Sequence, residues 1–241
     1  MHKERGGTMP DNSDRYLAAF NRIEKALRTQ VGSDEYQTFS FMVREASKKN
    51  AVVKRYDNDL REFADLRNAI VHNSTNPAFT IAEPHDSTVE KIKMIEEEII
   101  HPKKVFPTFQ KEVIIFQAKD SLAKILKIIR EHAITQFPVY EDGKFLGLLS
   151  ESGITNWLSK NVKEDIISLV ETELHQVVSH EEEQQNYQFV DRDMSIYDAK
   201  EIFKDNLDQG VRIDALMITE NGKEDEGFLG IMTRWDFLRI K

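Results

Sequence analysis

The sequence contains no cysteine among its 241 residues. This absence excludes disulfide bonds, thiolate catalysis and cysteine-based zinc sites together. It also contains no apolar run near the roughly 20 residues that a membrane-spanning helix needs. The opening stretch, MHKERGGTMPDNSD, lacks the apolar segment of a secretory signal. We therefore expect a cytoplasmic protein with no membrane contact.

Several short motifs of common enzyme and cofactor sites are also missing. There is no glycine-rich phosphate loop ending in Lys-Ser/Thr, no dinucleotide fingerprint and no His-Glu-x-x-His pattern. Two of the seven histidines, His175 and His180, lie close to carboxylates in HQVVSHEEE. This polar run is typical of a solvated linker, and we predict no metal site and no required cofactor.

Positive charge is scarce in most of the chain, and the formal net charge is −9. Residues 1–75 hold 13 Lys and Arg against 11 Asp and Glu, whereas the remainder holds 20 against 31. Phosphate binding requires clustered cations, so the acidic remainder is a poor general surface for nucleic acids. Any RNA contact is therefore expected in the N-terminal part.

Helical periodicity extends from residue 13 to residue 100. SDRYLAAFNRIEKALRTQ places apolar residues at helical spacing, with Ser13 or Asp14 as its cap. Two further helices follow, one over EYQTFSFMVREASKK and one from about 52 to 72, before the breaker residues HNSTNP. A fourth helix, STVEKIKMIEEEII, begins with Ser87 as its cap. Four amphipathic helices joined by short loops predict an up-down bundle.

From about residue 104 the pattern changes to short strands and helices, and it occurs twice. EVIIFQ, SLAKILKIIREH, QFPVYEDGKFLGLLS and ESGITNWLSK predict a strand, a helix, a strand–turn–strand and a helix. YQFVD, SIYDAKEIFKDN, DALMITENGKEDEGFLGIM and RWDFLRI repeat that order. Within it, GLLSESGITNWL (147–158, the first phrase) corresponds to GIMTRWDFLRI (230–240, the second phrase). We expect two β-α-β-β-α units that pack together to complete their cores.

The two copies resemble CBS (cystathionine-β-synthase) motifs, and the tandem pair resembles a Bateman module. The marks are FPVYEDGKFLGLLSESGI in the first copy, and ALMITENG followed by GFLGIMTRWDFL in the second. The resemblance implies an α+β protein in which an N-terminal helical bundle precedes a tandem CBS pair. It also implies that an adenosine nucleotide or related ligand binds in a cleft between the motifs and regulates the neighbouring domain.

The predicted organisation has three parts along the chain. A flexible tail covers 1–12, a helical bundle covers 13–100 and the CBS pair covers 101–241. Within the pair, the first motif covers about 104–162 and the second about 176–241.

The second phrase carries the residue types that a nucleotide needs. Thr233, at a strand-to-helix junction, offers its hydroxyl beside free backbone N–H groups, which suits a phosphate. Asp236 lies one helical turn later on the same side and can accept from both ribose hydroxyls. Arg234 is a further phosphate partner. By the resemblance, the base lies against the first strand of the copy and the segment before its second strand, at Phe189, Val190, Ile213 and Ala215.

The first phrase keeps Ser150 and Ser152 but has Gly153 at the aspartate position. It has lost its ribose acceptor, so we expect this degenerate site to be empty, weak or adapted to another ligand. The second copy departs from the family as well, with Ala215 where proline is common, whereas the first copy keeps Pro138. Because Thr and Asp also favour helix starts, an ordinary cap is the alternative interpretation of the second phrase.

Residues 67–72, RNAIVH, resemble the short motif of the HEPN family, whose helical domains include metal-independent ribonucleases. The resemblance implies a catalytic site of Arg67, Asn68 and His72, paired across a dimer interface. The histidine would move the proton of a ribose 2′-hydroxyl or protonate the leaving oxygen. The arginine would hold the phosphate and stabilise its charge. The alternatives are a HEPN-like bundle without catalysis and an unrelated helix that ends in a histidine.

Together these patterns predict a nucleotide-sensing regulatory homodimer. Its CBS pair would bind AMP, ADP, ATP or a related adenosine ligand and control the helical domain, with the adenine nucleotide acting as a regulatory ligand. One alternative is a HEPN-type ribonuclease gated by that ligand. Another is a structural dimerisation protein without a ligand.

Overall fold

A computed structural model describes residues 11–32, 36–72, 83–162, 167–181 and 185–237, with the side chains of His72 and Phe237 excepted. The chain divides into two compact units, Met1–Lys103 and Lys104–Lys241. The predicted tail lies outside the described residues apart from Asp11 and Asn12. The predicted α+β class is confirmed, because a helical part precedes two three-stranded sheets.

Within the described residues of the first unit, five helices share one apolar core. Their bounds are α1 (Asn12–Val31), α2 (Phe39–Ala46), α3 (Ala51–Arg55), α4 (Asp57–His72) and α5 (Asp86–Ile100). In α1 the buried residues Tyr16, Phe20, Ile23 and Leu27 follow helical spacing, and the last three of them belong to the apolar stripe that the sequence predicts. The Tyr16 hydroxyl donates to the backbone oxygen of Phe63 at 2.7 Å, which satisfies this buried phenol.

The helix boundaries differ in detail from the predicted ones. Asp11 caps α1, and its carboxylate accepts from the N–H of Asp14, one of the two predicted caps. His85 rather than Ser87 caps α5, through its ring nitrogen. The predicted third helix is broken at Tyr56, whose φ of −102° and ψ of 17° lie outside the helical region. Several side chains that can accept a hydrogen bond lie close together before these helices, so the local sequence does not show which of them caps the helix.

The first and last helices of this bundle run parallel, whereas four alternating helices would place them antiparallel. Three side-chain pairs advance in the same direction along α1 and α5: Asn12–Asp86, Arg15–Glu90 and Arg22–Glu96. Helix α4 runs opposite to α5, because Tyr56, which directly precedes α4, pairs with Glu98, while Asp59 pairs with Lys91. The difference arises because α2 and α3 are short, so α1, α4 and α5 are the three long passes.

Each half of the second unit has the predicted β-α-β-β-α order. The first half contains α6 (Val105–Thr108), β1 (Phe116–Gln117), α7 (Leu122–His132), β2 (Gln136–Glu141), β3 (Lys144–Ser150) and α8 (Glu151–Asn161). The second contains α9 (Leu174–Val178), β4 (Tyr187–Asp191), α10 (Ile196–Asp208), β5 (Ala215–Thr219), β6 (Gly230–Thr233) and α11 (Arg234–Phe237). In each sheet the middle strand is parallel to the first strand and antiparallel to the third.

Each half is completed by the segment that leads into the other half. Val105 is buried in the core of the second half, and its N–H donates to the backbone oxygen of Met194 at 2.8 Å. Conversely, Leu174 and Val177 of α9 are buried in the core of the first half. The run HQVVSHEEE is therefore not a solvated linker throughout, because Val177 faces a core. The predicted motif boundaries follow the repeat in the sequence, whereas the packing exchanges the two leading segments.

The two sheets pack face to face. Their shared core contains Phe145, Leu148, Ala215, Met217 and Ile231. The ring of Phe145 lies 4.9 Å from that of Tyr187 and 5.3 Å from that of Phe189, both nearly perpendicular to it. Because strands of both halves contribute to this core, the repeated phrases that follow β3 and β6 belong to one packed structure.

Candidate functional site

The second phrase brings Thr233 and Asp236 together where β6 meets α11. Thr233 is the last residue of β6 and lies opposite Ala215 in the sheet register. Its N–H and its hydroxyl both donate to Oδ2 of Asp236, at 2.9 Å each. No described residue hydrogen-bonds to Oδ1, so one oxygen of a fixed carboxylate stays available as an acceptor.

Two cations border this pair. Nζ of Lys111 lies 3.7 Å from Oδ2 of Asp236. Nη2 of Arg234 donates to Oδ1 of Asp214 at 3.0 Å, and the side chain of Arg234 is about half exposed. Sequence reasoning missed Lys111, because its approach to Asp236 depends on the exchange of leading segments between the halves. No local pattern around it signals that contact.

The four predicted base contacts lie in different surroundings. Val190 is 2% exposed in the core of the second half, and Ala215 is fully buried between the sheets. Phe189 is half-buried and stacks on Phe228, with ring centroids 6.1 Å apart. Ile213 is buried in the core and also lines an open groove. Ile213 is thus the predicted base contact that adjoins an open cavity.

That groove has a volume of about 590 Å³ and is mainly apolar. Trp235 lines it and is 71% exposed, whereas Trp157, on the corresponding helix of the first half, is 6% exposed. The lining residues are Phe203, Lys204, Leu207, Gly210, Val211, Arg212, Ile213, Arg234 and Trp235. The groove therefore shares Ile213 and Arg234 with the predicted site, while Thr233 and Asp236 do not line it.

The first phrase is engaged by a residue that sequence reasoning assigned to a linker. Ser150 caps α8, and its hydroxyl accepts from the N–H of Gly153 at 3.3 Å. The N–H of Ser150 donates to Oε1 of Glu181 at 2.6 Å, and its hydroxyl donates to Oε2 at 2.8 Å. The signal that could have indicated this partner is the absence of a carboxylate at Gly153 together with an acidic run beginning at Glu181.

Glu181 is half-buried and belongs to a series of hydrogen-bonded polar side chains between the two halves. Burial raises the pKa of its carboxyl above the ordinary value, with a further increase from Asp214, while Ser150 and Arg212 act in the opposite direction. Nδ2 of Asn186 donates to Oε2 of Glu181 at 3.3 Å and to Oδ2 of Asp214 at 3.1 Å. These hydrogen bonds thus connect the first phrase with Asp214, the residue that holds Arg234.

The predicted catalytic motif of the helical unit lies at the end of α4. Nη1 of Arg67 donates to Oδ1 of Asn68 at 3.3 Å, on the exposed side of the helix. His72 is the last residue of α4, and its side chain lies outside the described part of the chain. The ribonuclease site therefore stays a prediction.

The described ranges contain neither a metal-binding cluster nor a membrane-spanning helix. These ranges contain no cluster of three or more His, Asp or Glu side chains placed to hold a metal ion. The helices within them are also not long and apolar enough to cross a membrane.

Comparison with known families gives two adjacent matches in the second unit. The family model described as CBS domain matches residues 108–160 and 183–241. Each match covers one of the two β-α-β-β-α halves. No curated protein matches the chain.

Similar solved structures include a conserved CBS domain protein of unknown function from Thermoplasma acidophilum. It is 18% identical, with a TM-score of 0.43 over 58% of this chain and 70% of that one. The CBS domain pair of protein MJ0100, solved with 5′-methylthioadenosine and S-adenosyl-L-methionine, is 18% identical, with a TM-score of 0.40 over 58% and 95%. The CBS domain of a membrane protein from Sphaerobacter thermophilus is 16% identical, with a TM-score of 0.41 over 59% and 90%.

Proposed function

Residues 108–160 and 183–241 of this chain belong to the CBS domain family, and from this premise we propose that the pair is a regulatory sensor for an adenosine-type ligand. CBS pairs are commonly regulatory ligand sensors, which supports this assignment. The ligand, whether AMP, ADP, ATP or a related adenosine compound, would bind at the second phrase. The pair would then control the helical unit that precedes it in the chain.

The observation that carries this proposal is the fixed carboxylate of Asp236. Thr233 holds one of its oxygens with two hydrogen bonds, and the other oxygen has no described donor. A ribose offers two neighbouring hydroxyl donors to such an acceptor. Because the carboxylate is already oriented, a ligand loses little free energy in ordering it.

The neighbouring cations support a ligand that also carries phosphate. Lys111 lies next to the second phrase and Arg234 belongs to it, and both side chains are about half exposed. An arginine and a lysine beside a threonine hydroxyl form a suitable set of donors for phosphate oxygens. The adjoining groove offers apolar surface at Ile213, on which we place the base.

The route from this site to the helical unit is the segment 104–110. It follows directly after Lys103, where the helical unit ends, and it packs in the core of the second half through Val105. Lys111 comes next and reaches Asp236. A ligand that engages Asp236 therefore acts on the chain that leads out of the helical unit, by no more than its difference in affinity between states.

The test is ligand-dependent thermal stability followed by calorimetry. We expect one of AMP, ADP, ATP, S-adenosylmethionine and cyclic di-AMP to raise the melting temperature, since about 2.7 kcal/mol of stabilisation accompanies ligand at 100 times its Kd. Asp236→Asn should weaken binding of that ligand by about 10- to 100-fold, because hydrogen bonds to a charged acceptor are lost. Asparagine can still accept from Thr233, so the local fold is retained.

The matched control is Asp225→Asn, which removes the same charge from an exposed residue of the same half. It should bind like the unchanged protein. The proposal is refuted if none of the five compounds stabilises the protein at millimolar concentration. It is also refuted if Asp236→Asn and Asp225→Asn bind equally well.

A further inference from the structure

Glu181 stands in the place of the carboxylate that the first phrase lacks. Gly153 occupies the position that corresponds to Asp236 in the second phrase. A Cβ atom added to Gly153 would lie 2.0 Å from Oε1 and 2.4 Å from the carboxyl carbon of Glu181. The carboxylate therefore fills the space that an aspartate side chain at position 153 would enter.

The hydrogen bonds of the two phrases match as well. The N–H and hydroxyl of Thr233 both donate to Asp236, and the N–H and hydroxyl of Ser150 both donate to Glu181. The two carboxylates differ in which oxygens remain available as acceptors. Asp236 uses one oxygen for both bonds, whereas Glu181 uses one oxygen for each, and its Oε2 also accepts from Asn186. Glu181 thus has no oxygen without a protein donor.

The second hydroxyl of the first phrase is held too. Oγ of Ser152 accepts from Nη2 of Arg212 at 2.8 Å, and Nε of Arg212 donates to Asp214 at 3.0 Å. A continuous chain of contacts thereby begins and ends on the first phrase: Ser150, Glu181, Asn186, Asp214, Arg212 and Ser152. The Ser150 hydroxyl thus donates to Glu181, and the Ser152 hydroxyl accepts from Arg212.

We propose that Glu181 closes the first site from within, so that the pair takes up one nucleotide per chain and uses the first phrase to hold its halves together. An incoming ribose would find no oxygen of Glu181 without a protein donor, whereas Oδ1 of Asp236 has no described donor. Displacing Glu181 would cost it its hydrogen bonds to Ser150 and Asn186. The ligand count rests on the proposed function, whereas the closure does not.

The closure is tested without ligand by a double-mutant cycle on urea unfolding, followed by tryptophan fluorescence, to which the buried Trp157 contributes. Gly153→Asp should lower the unfolding midpoint, because its new side chain overlaps Glu181. Glu181→Ala should also lower it. In the combined variant the new carboxylate can accept from Ser150, so its midpoint should lie above that of Gly153→Asp alone. Losses that simply add would overturn the proposal.

Two control variants test whether the changes in midpoint are specific to Gly153 and Glu181. Gly227→Asp adds the same side chain where no atom lies within 4 Å of the added Cβ, and Glu171→Ala removes an exposed glutamate before the second half. Both should change the midpoint less than the test variants do. If Gly153→Asp does not fold, folding of the combined variant supports the closure, and failure of both variants overturns it.

The ligand count is tested by calorimetry with AMP as the probe. We expect one AMP per chain in the unchanged protein and two in the variant that combines Gly153→Asp with Glu181→Ala. Two AMP per chain in the unchanged protein, or one in the combined variant, would overturn the claim that Glu181 closes the first site. If AMP does not bind the unchanged protein at all, the proposed function fails for AMP, and the unfolding cycle still decides the closure.

Discussion

Substituting Gly230 by alanine tests how the segment 104–110 is seated on the second half. Gly230 opens β6, and Gln110 forms a bridge with it. A Cβ at this position would lie 2.2 Å from the backbone oxygen of Phe109 and 3.1 Å from its carbonyl carbon. Because the obstructing atoms belong to the backbone, no side-chain rotation can relieve the overlap.

The loss of stability in Gly230→Ala depends on how far the backbone at Phe109 must move. Ordinary contact would require Phe109 to retreat by about 1 Å, but its N–H is bonded to the backbone oxygen of Val105 at 2.8 Å. Val105 is itself fully buried. Overpacking of this kind costs about 1–3 kcal/mol. The lower chain entropy of alanine in the unfolded state offsets about 0.4–1 kcal/mol of that, so we expect a net loss of about 1–2 kcal/mol.

The assay is urea unfolding followed by tryptophan fluorescence. Both tryptophans, Trp157 and Trp235, belong to the second unit, so the signal reports that unit selectively. With a slope of about 2 kcal/mol per molar urea, Gly230→Ala should lower the midpoint by about 0.5–1 M. Gly227→Ala is the control, because no atom lies within 4 Å of its added Cβ. Equal midpoints for the two variants would refute the seating of this segment on β6.

Three further predictions use other parts of the molecule. Ligand bound in the groove should change the fluorescence of exposed Trp235, and Trp235→Phe should abolish that change; a signal that persists must come from Trp157 and would place the base elsewhere. Because the pKa of Glu181 is raised, the folded state favours the protonated form of its carboxyl. The free energy of unfolding of the unchanged protein, relative to that of Glu181→Gln, should therefore be greatest below about pH 4.5 and should fall as pH rises. Urea midpoints of both proteins from about pH 4 to 8 check this, and a difference that rises with pH would contradict it. RNA cleavage in EDTA should be lost in His72→Ala if the HEPN resemblance holds, and unchanged cleavage would assign the activity to a contaminant.

Elements with strong local periodicity could be predicted from the sequence. The apolar spacing of Phe20, Ile23 and Leu27 matches the buried face of α1. The repeated order of strands and helices in the second unit also follows from local patterns and turn residues. By contrast, the break at Tyr56 interrupts an apolar spacing that is otherwise continuous, so no pattern in that spacing indicates it.

Contacts between distant residues could not be predicted in the same way. The approach of Lys111 to Asp236, and that of Glu181 to Ser150, both depend on the exchange of leading segments between the halves. Each contact joins residues that no local spacing relates. The sequence does show that a carboxylate is missing at Gly153, but which residue replaces it is determined only by packing.

Asp214 is where the polar chain of the first phrase meets the second phrase. Its Oδ1 accepts from Arg212 and from Arg234, at 3.0 Å each, and it is 3% exposed. A buried carboxylate that loses every partner is strongly destabilising. If a ligand phosphate draws Arg234 away, Asp214 keeps Arg212 and Asn186, so this cost is largely avoided. On the proposed function, Arg234 is therefore the side chain that can exchange partners on ligand binding, while the contacts that close the first site persist.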